Sequence, residues 1–382
     1  MGRGTASATG PGEAAPGGMG FRQRLLGVDV ARALAIIGML MVHFGPVNAP
    51  GLAGALYALP YGRASVLFVL VAGVGVSLFA RSGRSREDVA RRLIWRALVL
   101  FPLGLWLQSL DHRVLVILQE YAVLFLLAAA VLDFPDAALL GLAGVSAAAG
   151  PVVFLLGRMH APDLFDQGPI RWSDPPSEML MDLVVSGPYP LAVWAAPFLF
   201  GMWIGRRDLR SAAVRVRILA GGILAAAGAT VLSAALELVF RPRSFPVTWA
   251  WLVVDVPHSQ MPLWLIGATG AAAALLVLCL EATERFDALL GPLAATGQMA
   301  LTVYAGHLLL LHFWGPAVTG KTLEEAIPRV ILVVAVAVAL STAWRRSFSR
   351  GPLEALVRLP ERGYSLLNRS AGEKEGGARD DH

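Results

Sequence analysis

The sequence predicts an all-α, polytopic membrane protein of about ten transmembrane helices with both termini in the cytoplasm. Of its 382 residues, 56% are hydrophobic and 15% are charged, which leaves too little polar surface to cover a water-soluble domain of this size. The hydrophobic residues are grouped into stretches that are each close to the roughly 20 residues needed to cross a bilayer. We therefore expect a multi-pass protein of the inner plasma membrane, in contact with the lipid bilayer.

The apolar stretches give the expected helices in chain order. They fall at about residues 28–47, 64–80, 88–109, 114–133, 136–157, 189–205, 215–239, 261–281, 293–314 and 327–344. The first is too long for the apolar core of a signal peptide, and no convincing cleavage site follows it. We expect it to remain in the protein as the first span.

Arginine clusters set the expected orientation. They lie at alternate connections, as the positive-inside rule requires of cytoplasmic segments, around residues 22–24, 81–92, 206–217 and 345–350. The longest connections, 158–188 and 240–260, then lie outside. Because the net charge of +5 comes from these short clusters, no nucleic-acid partner is expected.

The chain is expected to divide into three segments. Residues 1–20 are mostly Gly, Ala, Pro, Ser and Thr, a composition typical of a disordered tail. Residues 21–347 form the transmembrane domain. Residues 348–382 are expected to hold a short amphipathic helix at the inner surface, over 351–358, and then a disordered tail.

The first helix carries the strongest polar signal, because Asp29, Arg32 and His43 interrupt an otherwise apolar sequence. Asp29 and Arg32 are three residues apart and can pair on the helix surface. Arg32 and His43 are eleven residues apart, which places them on one face with about 16 Å between them. Such residues usually face a cavity or mark a pathway. The alternative is that both side chains extend to the membrane interfaces.

Histidines supply the candidate general bases. Those that precede the C-terminal residue all fall in the outer half of the expected topology: His43, His112, His160, His258, His307 and His312. A neutral imidazole can accept a proton from a hydroxyl or an amine near neutral pH. Beside His43, the strongest candidates are His258, near Asp255, and His307, one turn after Tyr304. No metal is expected, since the sequence has one cysteine and no H-E-x-x-H motif.

Further polar residues lie in the fourth stretch and at the inner surface. Gln119 and Glu120 occupy a depth at which an ionised carboxylate is costly unless it is paired. Glu120 could orient a base or pair with Arg63, or the two residues could simply bridge helices. The inner arginines that could bind phosphates, or could only set the topology, are Arg91, Arg92, Arg96, Arg206 and Arg207.

Several short motifs resemble transmembrane acyltransferases in their order along the chain. The segment from Arg32 to His43 resembles the first helix of the acyltransferase-three family. That helix carries an arginine, ten further residues and then a catalytic histidine. More of the chain resembles the group of YeiB-like proteins and heparan-α-glucosaminide N-acetyltransferases. The matching segments are residues 24–32, 62–68, 73–75, 117–122, 297–304 and 351–354.

The sequence departs from the second pattern in three places. Ala33 stands where glycine is usual, and Gln298 stands where arginine is usual. The heparan-type enzymes have asparagine at the position of His43 and a catalytic histidine in the following loop, whereas residues 44–62 contain no histidine. Either His43 takes the catalytic role, as in the acyltransferase-three pattern, or the chain has lost that chemistry.

The resemblance implies an enzyme that takes an acyl group from cytoplasmic acyl-CoA, in particular acetyl-CoA, and delivers it to a sugar or glycolipid at the outer face. It implies that His43 is the base or acyl relay, assisted by Glu120 or His307. The residues expected to line the substrate and cofactor channel are Asp29, Arg32, Arg63, Gln119, Tyr304 and His258. The sequence leaves open whether the protein forms a homodimer.

Two other functions remain open from the sequence. In a small-molecule or proton-coupled transporter, Arg32, His43 and Glu120 would form a relay for protons or substrate. In a non-catalytic membrane scaffold, alanine at His43 and Arg32 would leave the phenotype unchanged.

Overall fold

The structure, a computed structural model, describes residues 25–243 and 246–359, which form α-helices joined by connecting segments; no strand is found among them. Short 3-10 and π-helical turns lie in the connections. The α-helices, numbered in chain order, are α1 (Leu26–Phe44), α2 (Gly51–Tyr57), α3 (Arg63–Ala80), α4 (Arg86–Gln108), α5 (Leu118–Ala130), α6 (Asp136–His160), α7 (Pro176–Met181), α8 (Leu191–Gly205), α9 (Ala212–Phe240), α10 (Pro262–Arg285), α11 (Asp287–Gln298), α12 (Ala300–Val318), α13 (Leu323–Ser347) and α14 (Pro352–Leu356).

The all-α prediction is confirmed for the described residues, and each apolar stretch falls on one helix except 293–314, which is divided at Met299 between α11 and α12. Within the described part of the chain, seven helices are long and apolar enough to cross a membrane, or eight if the segment 176–186 and α8, which meet at a 55° bend, count as one span. Helix α4 falls outside this set because its first half is rich in arginine and acid, and α5 has only 13 residues. The ten-span count and the orientation of the termini stay predictions.

Some sequence expectations concern residues outside the described ranges. These are the disordered tails at residues 1–20 and beyond 359, and the basic residues Arg22 and Arg24. In the expected outer connections, the structure places α7 and a π-helical turn, Asp182–Ser186, within 158–188, and a 3-10 turn, Trp249–Val253, within 240–260.

Helix α1 lies at the centre of the bundle and packs against α3, α10 and α11, with α12 and α13 beside it. Close approach depends on glycine at two points. A Cβ atom on Gly297 would lie 1.8 Å from the carbonyl oxygen of Asp29, so only glycine lets the end of α11 touch α1 there. A Cβ atom on Gly73 would lie 2.1 Å from the carbonyl oxygen of Phe198, which fixes the contact of α3 with α8. These contacts bring polar residues of distant segments together beside α1.

The outer helices α9 and α13 direct large apolar side chains away from the bundle. Leu224 and Leu238 on α9 are 75% and 77% exposed, and Leu332 and Leu340 on α13 are 64% and 65% exposed. Apolar surface of this extent is not tolerated in water by a monomeric protein. The bilayer is the environment that matches it, in agreement with a membrane protein.

Candidate active site

A cavity of about 1260 Å³ opens between α1, α3, α4, α5 and the junction of α11 with α12. Along α3 its lining runs from Phe68 to Phe79, which is about 16 Å of helix, and it continues into the connection at Arg81 and Ser82. One end is apolar and aromatic, and the other is basic. The arginines that line the cavity are Arg32, Arg81, Arg84, Arg96, Arg207, Arg210 and Arg358, against the carboxylates of Asp29, Asp208 and Glu354. Its lining therefore carries a net positive charge.

Phe79 positions two of the cavity's cations. The guanidinium carbons of Arg84 and Arg96 lie 4.8 and 4.9 Å from the centre of its ring, a distance at which the ring attracts a cation. A planar guanidinium held in this way can form paired hydrogen bonds with a phosphate. This end of the cavity therefore has the chemistry to bind an anion with several phosphate groups.

Only part of the predicted set of phosphate-binding arginines faces this cavity. Arg96 and Arg207 line it. Arg91 and Arg92 instead pair with Asp88 at 2.8 Å, and Arg206 donates to Asp136 and to backbone carbonyls. Sequence clustering could not separate the two groups, because the separation depends on how α3, α4 and the segment after α8 converge.

Asp29 and Arg32 lie in the wall of the cavity and contact each other. The guanidinium of Arg32 donates to the Asp29 carboxylate at 2.8 Å and to the carbonyl of Gly297 at 3.4 Å. The side-chain amide of Gln298 donates to the other oxygen of Asp29 at 3.1 Å. The pairing of Asp29 with Arg32 is confirmed. Gln298, where the resemblance pattern has arginine, contributes a neutral hydrogen bond to this carboxylate.

The histidines of α1 and α12 form a pair. Nδ1 of His43 lies 3.0 Å from Nε2 of His307, and the two rings are nearly parallel, with centroids 5.2 Å apart. His307 is buried at 3% exposure, whereas His43 is only half-buried. His43 is therefore the more exposed member of the pair. The sequence singled out both residues but did not predict their contact.

The tautomer of the pair decides which nitrogen can act as a base. Only one proton can lie between Nδ1 of His43 and Nε2 of His307 when both rings are neutral. If His43 donates this proton, its own Nε2 keeps a free lone pair and can accept a proton from a substrate. His307 then acts as the group that orients His43.

Tyr304 links the histidine pair to the end of the cavity. Its ring centre lies 5.0 Å from that of His307 and 6.4 Å from that of Phe68, and its hydroxyl oxygen accepts a hydrogen bond from the backbone N–H of Ile117 at 3.2 Å. The ring centres of Phe68 and Tyr121 are in turn 5.0 Å apart. Phe68 and Tyr121 line the cavity, and Tyr304 does not.

Gln119 and Glu120 are buried, at 2% and 3% exposure, and their side-chain polar atoms have no hydrogen-bond partner in the described ranges. The suggested pair of Glu120 with Arg63 is wrong. Leu118 and Tyr121 face the cavity, and Glu120 lies about 100° around the helix from Tyr121 and about 200° from Leu118, so it faces away. No hydrogen bond connects Gln119, Glu120 or Arg63 with the histidine pair.

His258 lies outside the helices, in the connection before α10, and is packed among aromatic rings. The distances from its ring centre to those of neighbouring rings are 5.3 Å for Tyr61, 5.7 Å for Tyr189, 6.2 Å for Trp194 and 5.8 Å for Trp264. Burial lowers the pKa of His258 to about 4, so the ring is neutral at physiological pH.

The sequence did not single out two other groups at the cavity. Phe68 and Tyr121 fall within the matching segments 62–68 and 117–122, but the sequence indicated no role for them at a site, and the structure places them in the cavity wall. Glu354 of α14 accepts hydrogen bonds from the backbone N–H groups of Leu301 and Thr302 at 2.7 and 3.0 Å, at the start of α12. Among residues 25–243 and 246–359, no group of His, Cys, Asp and Glu side chains could hold a metal ion.

The fold and the site together define a polytopic membrane protein with a basic cavity and a histidine pair beyond its apolar end. A family model described as heparan-alpha-glucosaminide N-acetyltransferase, catalytic, matches residues 24–237, and a model described as a protein of unknown function (DUF418) matches residues 204–360. The first match covers more than half of the chain, and the protein belongs to this acetyltransferase family. The resemblance inferred from the motifs is confirmed. No curated protein matches the chain.

Proposed function

We propose that the protein is an acyltransferase of the inner plasma membrane that moves an acetyl group from acetyl-CoA to a hydroxyl or amine of a sugar or glycolipid at the outer face. The observation that carries the proposal is the basic, elongated cavity whose apolar end lies against Phe68, with the His43–His307 pair beyond it. In this proposal ten spans place both termini and the arginine-rich end of the cavity in the cytoplasm.

The cavity suits a thioester with a charged nucleotide and a long flexible arm. The arginines at its basic end would bind the phosphates. The stretch from Ser82 to Phe68 would hold the arm and direct the acyl group toward the apolar end. Asp29 and Arg32, which are hydrogen-bonded to each other, shape the wall on the side of α1.

His43 would act as the general base. The acceptor hydroxyl or amine attacks the thioester carbonyl carbon while Nε2 of His43 takes its proton, so a C–O or C–N bond forms and the C–S bond breaks. The thiolate of CoA leaves and takes the proton back from His43, giving free CoA and the acetylated acceptor. His307 acts as a positioning residue that holds the required tautomer of His43.

The direct test is transfer of radiolabel from acetyl-CoA by the purified full-length protein in liposomes, with cell-envelope sugars and glycolipids as acceptors. We expect label on an acceptor with wild-type protein and a loss of about 100-fold or more for His43→Ala, the size of a general-base contribution. His160→Ala is the matched control, because His160 is exposed at the end of α6. Label that stays on the protein when no acceptor is present would make His43 an acyl relay.

A negative result would exclude acyl transfer and favour the transporter. If no label reaches an acceptor or the protein, and acetyl-CoA shows no saturable binding, the enzyme proposal is wrong. Uptake of small molecules into the same liposomes would then test the transporter.

A further inference from the structure

A closed layer of aromatic rings separates the cavity from the histidine pair. Phe68 and Tyr121 form the cavity side of this layer and are 7% and 5% exposed. Tyr304, at 1% exposure, lies behind Phe68 and contacts His307. His43 and His307 do not line the cavity. An acyl group in the cavity therefore cannot contact His43 in this arrangement of side chains.

The cavity wall on α12 and on α1 ends well short of the histidine pair. Leu301 lines the cavity and His307 lies six residues further along α12, which is about 9 Å of helix. Asp29 and Arg32 on α1 also line the cavity, and Arg32 is about 16 Å from His43 along the same helix. At least one ring must move before a thioester in the cavity can react at His43.

Phe68 and Tyr121 are the rings able to move. The hydroxyl of Tyr304 is held by the backbone N–H of Ile117, whereas the hydroxyl of Tyr121 has no hydrogen-bond partner in the described part of the chain, although it is buried. Phe68 has no polar atom to hold it. One turn further along α3, the small side chain of Ala72 lines the cavity, so a ring that turns away from the histidines has space to enter.

We propose that Phe68 and Tyr121 form a gate between the cavity and the His43–His307 pair, and that the size of the side chains at these positions selects which acyl thioesters reach His43. This proposal rests on the proposed function. In the closed arrangement the gate separates the donor from acceptors and water on the far side. In the open arrangement the rings turn toward Ala72, and the acyl group passes toward His43.

The first test compares acyl chains. Full-length wild-type protein, Phe68→Ala and Phe68→Trp are assayed with acetyl-, butyryl- and octanoyl-CoA in liposomes. We expect Phe68→Ala to raise the rate with octanoyl-CoA relative to acetyl-CoA by about tenfold or more, a selectivity of the size that a few methylene groups supply in an apolar pocket. We expect Phe68→Trp to lower all rates, and butyryl-CoA more than acetyl-CoA.

The matched control is Phe154→Ala. Phe154 is buried at 3% exposure and packs on Phe165, away from the cavity. Its replacement removes the same volume from the protein interior but leaves the gate intact, so the order of preference among the three thioesters stays that of the wild type. If Phe68→Ala and Phe154→Ala give the same relative rates with the three thioesters, selection by the gate is refuted. Phe68→Leu, a smaller change, provides the comparison should Phe68→Ala not fold.

The second test needs no enzymatic activity. Cys279 is the only cysteine, so His307→Cys in a Cys279→Ala background places a single thiol behind the layer. A small membrane-impermeant thiol reagent is added on the arginine-rich side of the cavity. We expect slow labelling with Phe68 present, and labelling at least tenfold faster when Phe68→Ala is added. An unchanged rate overturns the gate even if acyl transfer is observed. Faster labelling, combined with no acyl transfer by the protein that keeps His307, overturns the proposed function, and acyl selection with it, but leaves the barrier in place.

Discussion

His43 and His307 are 264 residues apart in the chain and come into contact only when α1 and α12 pack together. Their nitrogens are 3.0 Å apart, so the protonation state and tautomer of one ring determine those of the other. In the proposed mechanism the half-buried ring meets the substrate, and the buried ring sets its orientation. The two residues should therefore differ in the kinetic effect of their removal.

We expect His307→Ala to lower the turnover number for acetyl transfer by about 10- to 100-fold while the Michaelis constant for acetyl-CoA stays within about twofold, because the donor cavity is untouched and only the orientation of the base is lost. The pH profile of the turnover number should change shape as well. His307→Asn, which keeps a hydrogen-bonding group on a shorter side chain, should recover part of the rate. Equal increases of the Michaelis constant in both variants would contradict the assigned role.

His258 gives a prediction about stability rather than catalysis. Its pKa falls from the ordinary 6.5 to about 4 on folding, so between these values the unfolded state binds more protons than the folded state. The neutral ring stabilises the fold fully above pH 6.5, and this contribution is lost as the pH falls toward 4. We expect the thermal unfolding temperature to drop on going from pH 7.5 to pH 5, and to drop less in His258→Phe. The same drop in both proteins would show that His258 titrates normally.

At the scale of helices, the sequence predicts what depends on local spacing and fails where packing decides. The apolar stretches locate the helices because a segment in lipid must pair its own backbone N–H and C=O groups, and an α-helix does so. The pairing of Asp29 with Arg32 follows from their separation of three residues. Hydropathy does not show where a helix axis changes direction. The 55° bend before α8 and the break at Met299 between α11 and α12 were therefore not predicted. The cavity wall at Phe68 and Tyr121 was missed for the same reason.

Helix α14 stabilises the start of α12 through one side chain. Glu354 accepts hydrogen bonds from Leu301 N–H, Thr302 N–H and the Thr302 hydroxyl, groups that a helix start otherwise leaves without a partner. We expect Glu354→Ala to destabilise the protein by about 1–2 kcal/mol, the range for the loss of a helix cap, and to expose the segment after Gly351 to proteases. Glu178→Ala, at an exposed position of α7, serves as the control in both assays. Unchanged proteolysis would show that α14 is held by other contacts.

At the scale of the whole molecule, charge is distributed along the path proposed for the donor. The basic residues of the cavity come from α1, the connection between α3 and α4, α4, the segment after α8 and the segment after α14. Those that bind phosphates should affect donor binding and not the chemical step. Variants at the basic end of the cavity should therefore impair donor binding, and variants of the histidine pair should impair turnover.

We expect Arg96→Ala to raise the Michaelis constant for acetyl-CoA about tenfold with little change in turnover number, because a charge-assisted phosphate contact contributes to binding in the ground state and in the transition state alike. The effect should weaken as ionic strength rises. Arg171→Ala, at an exposed position in the connection before α7, should leave the constant unchanged. A loss of turnover at saturating acetyl-CoA would place Arg96 in the chemistry instead.

The contact of Gly297 with the backbone of Asp29 ties the first helix to the eleventh, and this has a consequence for biosynthesis. During translation, α1 enters the membrane long before the ribosome reaches the residues that give Asp29 its amide partner and His43 its imidazole partner. The helices made in between must hold α1 in place, with its polar face turned inward, until the last quarter of the chain is made. A product that stops before residue 297 therefore contains every residue of α1 and still lacks an assembled site.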